Sequence, residues 1–342
     1  MRFRLDHLAA VAASVVLIVI AGVLGISSVG VSAVANAAKP TKPHPPGTTA
    51  PTTSTTAVTT APTTTVTTVP TTTTAPAPTS VVTKALVIFV ENHSLSQMQS
   101  GMPYLNSLAT TYGYATNYRA LTHPSLPNYL AVAGGSTFGI TDDGNPSSHP
   151  LSGPTVFGQA LATGKTARVY AEDEPSTCYQ SDAGLYAVRH TAWPYFVDEA
   201  AACRAGQLPS GSATSGAFAT DAAAGTLPNV GWLIPNNCNN AHDCSLATAD
   251  TWIKSMLPDV FNGPDWQSGR LAVVITADED DYNGTNTVLT VVAHPSVHSK
   301  VVTSALNHYS LSAFLSAMSG SAPLRNAAGA PSFANAFGLA IP

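Results

Sequence analysis

The sequence predicts an α/β domain with a mostly parallel central sheet and helices on both faces. Short apolar runs alternate with longer segments of helical character across the C-terminal three quarters of the chain. Ala85–Val90 has no polar alternation and Arg270–Thr276 is apolar between its ends, as in strands buried on both faces. Polar clusters follow such runs directly, and open α/β sheets bind ligands outside the carboxyl ends of their strands.

The 342 residues divide into three parts. Residues 1–38 read as a signal peptide or N-terminal membrane anchor. Arg2 and Arg4 precede an apolar stretch from Leu8 to Val29, and Ala35-Asn36-Ala37 fits a small-residue cleavage site. Residues 39–80 are almost entirely Thr, Pro, Ala, Val and Ser, a composition that buries no core and reads as a disordered stalk. Residues 81–342 form the folded domain. Export follows from the leader, so the protein is expected to be secreted or held at the cell surface or wall, touching membrane only through the leader if that is uncleaved. In an exported chain the four cysteines are expected to pair, with Cys178–Cys203 and Cys238–Cys244 preferred because both close short loops. Acidic residues (19) outnumber Lys and Arg (14), so no basic surface for nucleic acid is implied and no nucleic-acid partner is expected.

Within the domain, Ala85–Val90 is the first strand and ends at Glu91-Asn92-His93-Ser94. A helix is expected over Met102–Tyr112 and a strand over Tyr114–Ala120. Thr122-His123-Pro124-Ser125-Leu126-Pro127-Asn128-Tyr129 then turns from loop into helix. Ser125 stands where an N-cap would stand, Pro127 falls in the first turn, and Gly134-Gly135 closes the helix. A hydroxyl at a helix start lies beside free N–H groups and the positive end of the helix dipole. Strands are expected at Ala167–Ala171, Asn229–Ile234, Arg270–Thr276 and Thr287–Ala293, and helices at Asp250–Leu257 and Ser304–Met318. Asp278-Glu279-Asp280-Asp281 comes directly after the Arg270–Thr276 run and Ala277.

Glu91-Asn92, Ser125 and Asp278-Glu279 therefore converge on one sheet edge. Carboxylates, a carboxamide and a hydroxyl are hard oxygen donors, and buried carboxylates that repel one another are relieved by a divalent cation. Oxygen-only ligation favours Mg, Ca or Mn over Zn. His190 and His242 occupy polar loops after apolar runs and suit contact with phosphoryl oxygens or protonation of a leaving group. The G-x-S-x-G elbow, the P-loop and a G-x-G-x-x-G after a strand are all missing.

These motifs, together with Arg189-His190…Trp193, His242-Asp243 and His308-Tyr309-Ser310, occur in an order that resembles the phosphoesterase family of secreted acid phosphatases and bacterial phospholipases C, within the alkaline phosphatase superfamily. The resemblance covers the whole folded domain and implies an alkaline-phosphatase-like fold. It implies Ser125 as nucleophile, Asn128 as a holder of the phosphoryl oxygen, and His190 and His242 as phosphate-contacting groups. It implies Glu91, Asn92, Ser125, Asp278 and Glu279 as ligands of one divalent cation, and it adds His123 and His308 to the residues of the site. The chain departs from the family where Thr191-Ala192 replaces an Asn-Pro, where Ala277 replaces a large residue, and where His294-Pro295-Ser296-Val297-His298 replaces a Gly-Pro turn. The implied activity is an exported acid-phosphatase-type phosphomonoesterase acting on a small phosphate ester. The alternatives are a phospholipase C-like phosphodiesterase and a non-catalytic binding protein carried on the stalk.

Overall fold

The computed structural model describes residues 80–342. The expected leader and the stalk up to residue 79 lie outside the described residues. Ten strands follow in chain order: β1 Lys84–Val90, β2 Gly113–Ala115, β3 Tyr118–Arg119, β4 Ala167–Ala171, β5 Gln207–Pro209, β6 Val230–Ile234, β7 Leu271–Ala277, β8 Thr290–Ala293, β9 Lys300–Val302 and β10 Leu306–Asn307. Eight of them form the main sheet in the order β5-β4-β6-β1-β7-β8-β2-β9, and β10 and β3 make a separate pair. Every pairing in the main sheet is parallel except those of β8, which runs antiparallel to β7 and β2. This is the mostly parallel α/β sheet that the apolar runs predict.

The centre of the sheet is β6-β1-β7, whose residues are buried on both faces apart from Lys84 at the start of β1. Lys84 reaches Asp265 at 2.7 Å, so the one charge in the central strands is neutralised at the edge opposite the polar clusters. Helices pack around the sheet in two groups. Helices α1 (Leu95–Gly101) and α2 (Pro103–Thr111) pack with Leu246–Met256, while α3 (Ser125–Gly134) packs with Val156–Ala162 and His308–Met318.

Boundaries differ from the sequence expectation where side chains cap. The expected helix at Asp250 begins at Leu246 because Ser245 accepts from the Thr248 N–H. The expected helix at Ser304 begins at His308 because Asn307 and Ser310 form a capping box. The single strand expected over Tyr114–Ala120 is two short strands in two different sheets. β2 pairs with β8 and β9, whereas β3 pairs with β10. Period alone does not show a chain leaving one sheet for another. Both expected disulfides form, Cys178–Cys203 and Cys238–Cys244.

Candidate active site

The register of β1 against β7 builds the floor of the site. Val90 lies opposite Ala277, so Glu91 and Asp278 leave the sheet side by side. The Asp278 N–H donates to Val90 O at 3.1 Å, and the Asn92 N–H donates to Asp278 Oδ1 at 3.1 Å. Asn92 thus holds Asp278 through its backbone, which it presents with a left-handed φ of 56°. Glu91, Asp278, Glu279 and Asp280 are all buried.

Helix α3 supplies the wall. Ser125 is the first residue of this helix and does not cap it; the N-cap is Pro124, with no side-chain cap bond. The Ser125 hydroxyl is free of the helix and donates to Glu91 Oε2 at 3.1 Å. The helix start is less open to an anion than its dipole suggests. The Leu126 N–H is taken by Asp143 Oδ1 at 2.9 Å, and Pro127 has no N–H to offer. One turn on, the Tyr129 hydroxyl donates to Glu91 Oε1. Asn128 Oδ1 accepts the Leu121 and Thr122 N–H groups, and its Nδ2 faces Thr122 O at 2.7 Å, Glu279 Oε2 at 3.0 Å and Pro124 O at 3.3 Å. The expected phosphoryl-holding amide is thus engaged in clamping the loop before Ser125 onto Glu279.

Histidines ring this cluster. His190, in the 3-10 turn Val188–His190, is buried, lies flat against Tyr129 with ring centroids 5.1 Å apart, and points Nε2 at Glu91 Oε2 from 3.4 Å. Burial, reinforced by the Arg189 charge, holds its pKa well below the usual histidine range, which favours the neutral imidazole. His242 is half-buried, 3.3 Å from Arg189 Nη2 and 2.6 Å from Asp243, with its ring 6.2 Å from that of His190. His123 faces Glu279 and Asp280 at 3.1 and 3.3 Å and stacks on Tyr282. His308 accepts no charge partner: its Nε2 lies 2.6 Å from the Asp278 carbonyl and its Nδ1 3.0 Å from Tyr118. His298 is exposed and stands apart from the cluster.

The electrostatics are unbalanced. Burial raises Glu91, Asp278 and Glu279 above the ordinary carboxylate range, and the Asp278 charge adds to the effect at Glu91 and Glu279. Asp278 Oδ2, His190 Nε2 and the His123 Nδ1 atom are buried without a hydrogen-bond partner. Carboxylates, a hydroxyl and an unpartnered carboxylate oxygen fit a hard divalent cation in chemical kind. Among the described residues no three His, Cys, Asp or Glu side chains are drawn together as a ready-made metal cluster. The fit therefore rests on the donor chemistry and the excess buried negative charge.

Three residues of the site escape a reading of the sequence. Tyr129 stands four residues after Ser125, a helical spacing that puts both on one face of α3. Asn240 lies inside the Cys238–Cys244 loop, where its carbonyl accepts the Glu91 N–H at 2.8 Å. Asp143 reaches α3 from a loop, and no local pattern marks it.

Comparison with known proteins identifies what the chain is similar to. A sequence profile of the phosphoesterase family matches residues 90–318. The chain is 30% identical over 261 residues to phosphatidylinositol-3-phosphatase of Mycobacterium tuberculosis, covering 74% of this chain and 82% of that protein. It is 30% identical over 230 residues to the phosphate-repressible acid phosphatase of Penicillium chrysogenum, covering 62% of this chain and 53% of that protein, so it spans about half the length of this fungal relative. In fold alone it is similar to a Bacteroides thetaiotaomicron protein assigned as a sulfatase, with a TM-score of 0.50, 11% identity and 74% of each chain covered.

Proposed function

The chain belongs to the phosphoesterase family, and on that premise we propose that it is an exported phosphomonoesterase acting through a phosphoserine at Ser125. The observation that carries the reading is the Ser125 hydroxyl at a helix start, hydrogen-bonded to a buried glutamate beside a second buried carboxylate. Both relatives described above bear names of phosphomonoester hydrolases, which favours monoesters over the diesters of a phospholipase C.

Glu91, Asp278, Ser125, Glu279 and Asn92 would hold the divalent cation. When bound, such an ion polarises the phosphoryl group and favours the Ser125 alkoxide. The remaining work belongs to the chain. The bond to Glu91 orients Oγ of Ser125 toward the site, and the clamp of Asn128 on Glu279 fixes the loop that carries it. Ser125, its proton released to water, attacks phosphorus; the P–O bond to the leaving group breaks, and the leaving oxygen takes a proton. We assign that proton to His242, whose ring lies 6.2 Å from that of His190; its Nε2 is free to carry the proton once Arg189, 3.3 Å away, turns to the phosphoryl oxygens. His190 Nε2 and Arg189 face the charge that develops on the equatorial oxygens. Water then attacks the phosphoserine, releasing phosphate and restoring the hydroxyl.

The test is Ser125→Ala in the full chain, assayed on an aryl phosphate and in parallel on a phosphoinositide and on phosphatidylcholine. Turnover of the monoesters should fall by about 10³-fold or more while the fold is kept. Acid quenching of wild-type enzyme with labelled substrate should leave label on Ser125. Substantial activity in the variant rejects the nucleophile, preference for phosphatidylcholine favours the phospholipase C reading, and metal binding without any turnover favours the stalked binding protein.

A further inference from the structure

The loop between Cys238 and Cys244 is tied to the site from several sides. At the end of β4, the Glu172 carboxylate accepts the Asn236 N–H at 3.0 Å, Asn239 Nδ2 at 2.9 Å and the Trp252 indole N–H at 2.9 Å. The disulfide closes the loop at its base. At its centre Asn240 is 1% exposed, too buried to exchange its partners for water. Its carbonyl accepts the Glu91 N–H, its Oδ1 accepts the His242 N–H at 2.8 Å, and its Nδ2 lies 3.4 Å from His190 Nδ1.

The orientation of this carboxamide follows from its neighbours. The His242 backbone N–H can only donate, so the end of Asn240 that meets it is the oxygen. The other end is the NH2 group, which can also only donate. His190 must therefore present a lone pair at Nδ1, and a neutral imidazole with its lone pair at Nδ1 carries its proton at Nε2. That nitrogen is the one aimed at Glu91 Oε2, and it is buried with no aligned partner in the protein.

We propose that Asn240 is a positioning residue that locks His190 in its Nε2–H tautomer, making His190 a hydrogen-bond donor into the site and not a base. The tautomer follows from the protein geometry. The acceptor, an oxygen of the transferred phosphoryl group, rests on the function proposed above. A lone pair at Nε2 would repel both Glu91 and that oxygen, so the direction of the Asn240 carboxamide decides whether His190 stabilises or opposes the charge.

The experiment is nitrogen NMR on the full chain labelled at histidine, near neutral pH, with the His190 signals identified by their loss in His190→Gln. Wild-type protein should show an unprotonated-type shift at Nδ1 and a protonated-type shift at Nε2. In Asn240→Asp the carboxylate accepts where the amide donated, so Nδ1 should become protonated, and kcat on an aryl phosphate should fall about 10–100-fold. Asn240→Ala removes the bias without reversing it; the two tautomers should mix, with a smaller loss of kcat than in the aspartate variant. A protonated Nδ1 in wild-type protein overturns the proposal, as does an unchanged His190 spectrum in both variants. The spectrum is independent of turnover. An inactive chain with the Nε2–H tautomer sinks the phosphomonoesterase reading and leaves Asn240 its role; an active chain with the opposite tautomer does the reverse.

Discussion

Ser125 and Tyr129, one turn apart on α3, donate their hydroxyls to opposite oxygens of the same carboxylate, Glu91. The tyrosine fixes the plane of the carboxylate, and the serine is oriented by what the tyrosine leaves. Tyr129→Phe keeps the ring that packs against Phe89 and His190 but leaves Glu91 Oε1 without this donor. Leaving a buried polar oxygen without its partner costs about 1–3 kcal/mol, so the variant should fold with a lower Tm. Its kcat should drop by about tenfold through misplacement of Ser125. Thermal melts and steady-state kinetics check both, and unchanged kinetics would show that Ser125 does not depend on Tyr129.

Chelation should inactivate the enzyme. The cluster of Glu91, Asp278 and Glu279 has oxygen donors only, so Mg, Ca or Mn should restore turnover of an aryl phosphate better than Zn after exhaustive dialysis. The Tm should fall with the metal, because buried carboxylates then repel without compensation. Full activity in metal-free protein would count against a metal role for these residues.

The two disulfides should separate stability from activity. Cys178–Cys203 spans 25 residues and Cys238–Cys244 spans 6. Chain entropy gives about 3.5 kcal/mol for the longer loop and about 2 kcal/mol for the shorter. Replacing both cysteines by serine should therefore cost more Tm at Cys178–Cys203. Activity should be hurt more at Cys238–Cys244, since that loop carries Asn240 and His242. Equal kinetic effects from the two double variants would contradict this division.

His294 supplies a pH-dependent term in stability. It is buried, its Nε2 faces Gly269 O at 2.9 Å, and its Nδ1 accepts the Ser296 N–H at 3.1 Å, so both nitrogens are committed to the neutral form. Burial lowers its pKa below the ordinary value. Below about pH 6.5 the unfolded chain binds a proton here that the folded chain refuses. This contribution is full above that pH and declines by up to about 1.4 kcal/mol per pH unit as pH falls toward the folded-state pKa. Tm measured between pH 7.5 and 5 should fall more steeply in wild-type protein than in His294→Gln, and parallel slopes would refute the assignment.

The sequence by itself determined the order of most elements and singled out most of the polar residues that the fold gathers at the candidate site. The apolar runs of β1 and β7 are legible because strands buried on both faces carry few polar residues, and Glu91 and Asp278 stand out because they follow those runs directly. Tertiary structure decided what those residues do together. The Val90–Ala277 register, which sets Glu91 beside Asp278, depends on pairing between segments far apart in the chain. His294 shows the same dependence. It follows an apolar strand just as Asp278 follows one, but β8 is antiparallel, so His294 emerges at the opposite edge beside Gly269. Ser125 looks like a helix cap in the sequence and becomes a donor to Glu91 only when α3 is laid against β1. Local pattern records which side of an element is apolar. Strand direction, register and the partner of each buried polar group are long-range choices, settled by packing the whole sheet at once.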